Sequence, residues 1–178
     1  MSILKIARLG HPILQKKTSI VKNLPHPSIK KLINDMTETM LDAKGIGLAA
    51  PQVHISKKII IFRAPEEVKN NNNTIEITAL INPKITKISK ETDDQWEACL
   101  SIPGMTGLVK RYTKITYKGY DMNGNLIKKE AEGLHARIVQ HEFDHLMGIL
   151  YINRLADSRA FGFVNEIEDY WKNEKENK

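Results

Sequence analysis

The sequence predicts an α+β fold, with short strands in the middle of the chain flanked by helices. Three observations carry that expectation. Ile29, Leu32, Ile33, Met36 and Met40 recur at spacings of three and four, the period of a helix over residues 28–43. From about residue 57 to residue 130 the pattern becomes short apolar runs and strand-like alternation, punctuated by Asn82-Pro83 and Asn123-Gly124. From Leu134 to Met147 the period is helical again.

Each element has a local reason. Ser28 is placed to cap the first helix, and Gly45 follows its end. Residues 57–62 carry a solid Ile-Ile-Ile-Phe run and read as a short strand. Residues 69–74, a lysine, four asparagines and a threonine, read as a polar loop tip. Residues 75–88 alternate as a strand broken at Asn82-Pro83, because proline cannot donate to a ladder. Residues 109–122 read as a second β region. Asn123-Gly124 then predicts a hairpin, with residues 126–130 returning. In the following helix Leu134, Ile138, His141 and His145 share a face, with Val139, Phe143 and Leu146 beside it and Gly148 placed to end it. Residues 160–172 predict a last helix. The 178 residues read as one domain, 1–178, with 160–178 as a C-terminal helix and tail.

Composition narrows the function. No apolar run approaches the ~20 residues of a membrane span, and the N-terminus has charges scattered where a signal peptide would be apolar. A cytoplasmic protein with no membrane association is the expectation. The net charge of +6 favours anionic partners, but the lysines are spread along the chain without the spacing of an RNA-reading module, and nothing suggests specific DNA binding. With one cysteine, Cys99, no internal disulfide is possible. That residue is either a small core side chain or a functional thiol.

The most informative stretch is His141-Glu142-Phe143-Asp144-His145. Residues four apart lie on one helical face, so both imidazoles can reach one ion. Glu142 projects beside that face, where it can accept a proton rather than ligate. Both histidines continue the apolar row of Leu134 and Ile138, so they should point inward, and a buried pair needs a partner. A catalytic ion needs a third ligand. The position that supplies a third histidine in metzincins is Tyr151 here, which removes that reading. Glu166 or Glu168 would suit a zinc peptidase, and Cys99 is the remaining candidate. His135 is expected at the surface, and His11, His26 and His54 in loops without ligand spacing. Trp96 is expected to pack rather than react.

Three stretches together resemble the peptide deformylases. Gly45-Ile46-Gly47-Leu48-Ala49-Ala50-Pro51-Gln52 is similar to their Gly-x-Gly-x-Ala-Ala-x-Gln loop, and Glu97-Ala98-Cys99-Leu100-Ser101 to their Glu-Gly-Cys-Leu-Ser motif. Gln140 to His145 is similar to the third motif, and Ile3-Leu4-Lys5-Ile6 with Gly10-His11-Pro12 and Leu14 to the N-terminal segment. The similarity runs to about Leu155. Ala98 departs from it, standing where the family usually has glycine.

The resemblance implies small antiparallel or mixed sheets packed around the helix that carries the two histidines. It implies Cys99, His141 and His145 as ligands of one ion per chain, Fe2+ in working enzyme, with Zn2+, Ni2+ or Co2+ able to substitute. Glu142 would move protons, and Gln52 and the Leu100 N–H would stabilise the formyl oxygen. The substrate would be the N-formylmethionyl end of a nascent peptide, with formate released. Ile46, Leu134, Ile138 and His141 are the implied walls of the methionine slot. Gly45, Gly47, Ala98 and Arg111 are placed along the substrate path, and Glu97 beside it as support. A monomer is expected, and the basic tail suggests association with the ribosome. The competing expectations are the zinc peptidase and a non-catalytic basic module at the ribosome.

Overall fold

The computed structural model describes residues 2–63 and 77–169, so the polar stretch 69–74 and the tail after 169 lie outside the described residues. An N-terminal arm leads to α1 (Pro27–Asp42), then β1 (Gly47–Ala49) and β2 (Ile59–Arg63). Next come β3 (Ile77–Ile88), β4 (Thr92–Cys99), β5 (Ile102–Tyr112), β6 (Lys114–Tyr120) and β7 (Leu126–Glu132). The long α2 (Gly133–Leu146) follows, then β8 (Phe161–Phe163) and the short α3 (Val164–Ile167). The strands form a five-stranded sheet in the order β1-β2-β3-β6-β7 and a three-stranded sheet in the order β4-β5-β8. Every strand pair is antiparallel.

The five-stranded sheet is covered on both faces near β2, which explains the unbroken apolar run there. Ile60 and Phe62 pack with Ala136, Val139 and Leu146 of α2. Ile59 and Ile61 pack with Ile29, Ile33, Met36 and Met40 of α1. A third cluster joins Cys99, Ile102 and Val109 of the smaller sheet to Leu14, Leu150 and Tyr151. The helix bearing both histidines therefore runs between the two sheets.

Several expectations need correction. His26, not Ser28, caps α1: its ring Nδ1 accepts the Ser28 N–H at 3.2 Å, and Pro27 occupies the first turn where no N–H is required. Asn82-Pro83 does not end a strand. Asn82 takes φ 52 inside β3, and its side chain pairs with the Val21 N–H and C=O at 2.9 Å each, making a bulge. The 109–122 region is two strands, the end of β5 and all of β6, and the β4–β5 hairpin was not foreseen. Residues 161–163 form a strand on β5 rather than the start of a helix. His135 is buried, not at the surface; its Nε2 lies 3.1 Å from the Tyr117 hydroxyl.

One expected helix stop holds. Gly148 follows α2 at φ 74, and a Cβ there would lie 2.6 Å from the Gln15 carbonyl, so the N-terminal arm can cross only a glycine.

Candidate metal centre

β4 and β5 pair in register from Thr92↔Tyr112 to Ala98↔Thr106, then slip at Cys99↔Ile102. That slip turns the chain sharply at Leu100-Ser101 and leaves the Cys99 thiol facing α2. On α2, His141 and His145 present their rings to it, 5.1 Å apart and inclined at 71°. One donor atom from each of Cys99, His141 and His145 lies within 4.8 Å of the other two. Cys99 Sγ is 3.3 Å from His145 Nε2. Among the described residues these three are the group of side chains that could hold a metal ion; Glu166 and Glu168 are exposed and take no part in it.

The carboxylates around the cluster differ in their surroundings. Glu97 accepts from His141 Nδ1 at 2.8 Å, from Arg111 Nε and Nη2 at 3.0 Å each, and from Arg137 Nη1 at 2.7 Å. Burial alone would raise its pKa, but the hydrogen bonds from His141 and Arg111 hold it below the ordinary carboxylate range. Its bond to Nδ1 leaves the His141 Nε2 for the cluster. Glu142 lies one residue on and is equally buried, yet its Oε2 has no hydrogen-bond partner among the described residues. Burial raises Glu142 to about 7, with the charges of His141 and Arg111 opposing. Gly47 of β1 lets it lie there: a Cβ on Gly47 would be 2.3 Å from Glu142 Oε1.

The imidazoles fit a cation. Burial pushes His145 well below its ordinary pKa, helped by His141 and Arg111, so its ring is neutral as a ligand must be. Burial opposes protonation of His141 too, but Cys99 and Glu97 overcome it and draw positive charge onto the ring. A thiol, two imidazoles and an anionic partner behind one of them form a donor set for a soft or borderline divalent ion. Tyr151 stacks on the His141 ring at 6.1 Å and 22°.

A cavity of about 490 Å³ opens in front of the cluster. Gly45, Ile46, Gly47, Glu97, Ala98, Leu134 and Ile138 line it, as do Gln52, Cys99, Leu100, His141 and Glu142. The Gln52 amide is oriented by the Ala49 N–H, which donates to Oε1 at 2.8 Å; Nε2 then lies 3.5 Å from Cys99 Sγ and 3.1 Å from Ser101 Oγ. Arg111 is placed differently from expectation. It lies behind Glu97, bridging that carboxylate and Asp144, and does not line this cavity. Sequence reasoning assigned no role to Arg137 or Asp144, and expected Trp96 only to pack. Arg137 stands one helical turn before His141, a spacing that would have flagged it, and both it and Trp96 line the cavity.

Three donors on one side of an open cavity, with a buried carboxylate beside them, define a class: hydrolases that activate water with a single bound ion. The polypeptide deformylase family profile matches residues 3–161. Peptide deformylase 1 of Bordetella pertussis is 45% identical over 160 residues, 89% of this chain and 91% of that protein. The Leptospira biflexa peptide deformylase is 40% identical over 172 residues, 94% of this chain and 96% of that one. Among solved structures, the Thermotoga maritima peptide deformylase superposes with a TM-score of 0.78 at 37% identity, covering 87% of this chain and 99% of its own. The class I type b peptide deformylase of Acinetobacter baumannii, solved with Met-Ala-Ser bound, gives 0.78 at 35% identity over 86% and 98%. The chain belongs to the polypeptide deformylase family, hydrolases that remove the N-terminal formyl group from nascent peptides, and the family implies a catalytic metal.

Proposed function

We propose that this chain deformylates N-formylmethionyl peptides with Cys99, His141 and His145 holding one ion and Glu142 carrying the proton. The approach of three ligand atoms to within 4.8 Å of one another, at the back of an open cavity, is the observation that carries this reading. When bound, the ion supplies Lewis acidity, which makes water nucleophilic near neutral pH and draws charge from the formyl oxygen.

The remaining steps belong to side chains. Glu142 takes a proton from the attacking water and returns it to the amine nitrogen as the C–N bond breaks, giving formate and a free N-terminus. Its burial, with a pKa near 7, suits a group that must both accept and release a proton. The Gln52 Nε2–H and the Leu100 N–H donate to the formyl oxygen as its negative charge grows. Glu97 fixes the His141 ring through Nδ1. Ile46, Leu134, Ile138 and the His141 ring wall the slot for the methionine side chain, and the relative with Met-Ala-Ser bound supports a methionyl end there. A side chain on Gly45 or Gly47 would meet Leu100 or Glu142, so both positions stay bare, and Ala98 adds one methyl to the cavity lining. Arg111 supports Glu97 and stands outside the substrate path.

Fe2+ is the working ion in this reading, with Zn2+, Ni2+ or Co2+ able to replace it; an iron–thiolate pair should lose activity in air as the metal and Cys99 oxidise. In this reading the enzyme is a cytoplasmic monomer of one catalytic domain that associates with the ribosome through its basic C-terminal segment. Among the described residues no helix is long and apolar enough to cross a membrane.

The test is formate release from formyl-Met-Ala-Ser by Fe2+-loaded protein prepared without oxygen. Glu142→Gln should lower turnover about 10²–10⁴-fold while retaining the ion. Equal rates in the two proteins would remove Glu142 from the mechanism.

A further inference from the structure

The register of the larger sheet assembles a charge pattern that the sequence disperses. Lys84 of β3 lies directly opposite Lys118 of β6, and Lys118 directly opposite Lys128 of β7. Residues in direct register share a face, with Cβ atoms roughly 4.5–5.5 Å apart, and like charges so placed destabilise a sheet. All three lysines are exposed. No ion pair joins any of them to a carboxylate among the described residues, whereas two rows away along the same face Lys114 holds Glu132 at 2.9 Å. Glu130 stands between, opposite Thr116, and its charge acts on Lys114.

The next row in the other direction is Tyr120 opposite Leu126, 41% and 63% exposed. This face is continuous with the one α1 covers: Ile81, which packs against α1, is in register with Tyr120. Beyond the helix, Lys118, Tyr120, Leu126 and Lys128 stay exposed on that side among the described residues. A row of three unpaired ammonium groups beside an exposed ring is a complement to alternating phosphates and unstacked bases.

We propose that the open face of β6 and β7 is a docking surface for single-stranded or looped RNA, with Lys84, Lys118 and Lys128 on phosphates and Tyr120 against a base. It is separate from the metal centre, which lies on the other side of the sheet beyond α2, and it does not depend on the catalytic reading. The chain's charge of +6 supplies the long-range attraction.

Fluorescence anisotropy of a labelled 20-nucleotide oligouridine, titrated with the full chain from 50 to 200 mM KCl, tests this. Each phosphate contact on a single strand contributes about 0.7 to the slope of log affinity against log salt, so replacing all three lysines with glutamine should lower the slope by about 2. Tyr120→Ala should weaken binding several-fold with the slope unchanged. Formyl-peptide hydrolysis should be unaffected in both variants, and the melting temperature of the triple variant should be equal or higher, since repulsion is relieved. Lys118→Gln alone, the middle of the row, serves if the triple variant fails to fold and should lower the slope by about 0.7. An unchanged slope in the lysine variants overturns the proposal. So does lysine-dependent binding to phosphatidylglycerol vesicles with none to oligouridine, which would make the partner a membrane surface.

Discussion

The two sides of α2 differ more than any other pair of surfaces in the molecule. Toward the larger sheet the helix presents Ala136, Val139 and Leu146 to Ile60, Phe62 and Tyr117, with the His135–Tyr117 contact joining polar groups there. Toward the smaller sheet it presents Arg137, His141, Asp144 and His145 to Glu97, Cys99 and Arg111, all of them largely buried. One side anchors by removing apolar area from water. On the other, charges are held out of water only because nearly all have fixed partners. The exceptions on that side are Glu142 Oε2 and His145 Nδ1, which lie next to the cluster. The contrast teaches that the helix is fixed by its apolar side so that its polar side can stay rigid with groups left available for chemistry.

Arg111→Leu should break that contrast most severely. It removes the buried cation that Glu97 and Asp144 share, leaving Glu97 with Arg137 and His141 and Asp144 with the half-exposed Arg154; losing one partner of such a network costs up to about 3–5 kcal/mol, measurable by urea unfolding. Gly47→Ala should act on activity instead. Its Cβ would overlap Glu142 Oε1, and displacing a reacting group by about 1 Å can lower turnover about 10²-fold, with the unfolding midpoint little changed. Val139→Ala sharpens the comparison from the other side: about 2 kcal/mol of stability lost, with formate release by the remaining folded enzyme unchanged.

The smallest effect is on acid stability. The folded-state pKa of Glu97 is depressed, so its contribution is fully present above its ordinary value of 4.5 and is lost as pH falls below that. Stability measured from pH 6 to pH 3 should therefore fall less steeply in Glu97→Gln than in the parent, by at most one proton or about 1.4 kcal/mol per pH unit.

Much of this was legible in the residues. The helical phase of Leu134 to Met147 put both histidines on one inward face, and Asn123-Gly124 marked the β6–β7 hairpin. The same phase places His135, Val139 and Leu146 together, so the burial of His135 was written in the period, though its polarity suggested a surface. The β4–β5 hairpin was hidden for a physical reason. Its turn at Leu100-Ser101 contains neither glycine nor asparagine, and β4 opens with Asp93, Asp94 and Gln95, whose strand character comes only from pairing with β5. Arg111 looked like a solvated strand residue or a substrate contact because the carboxylates that bury it come from β4 and α2, distant in sequence. The lysine row across β3, β6 and β7 depends on register, which composition does not encode.

X-ray absorption at the metal edge of anaerobically prepared protein probes the central claim most directly. It should reveal one sulfur scatterer at about 2.3 Å together with two imidazoles, and the sulfur should vanish in Cys99→Ala. A parent spectrum with only nitrogen and oxygen neighbours would contradict the account.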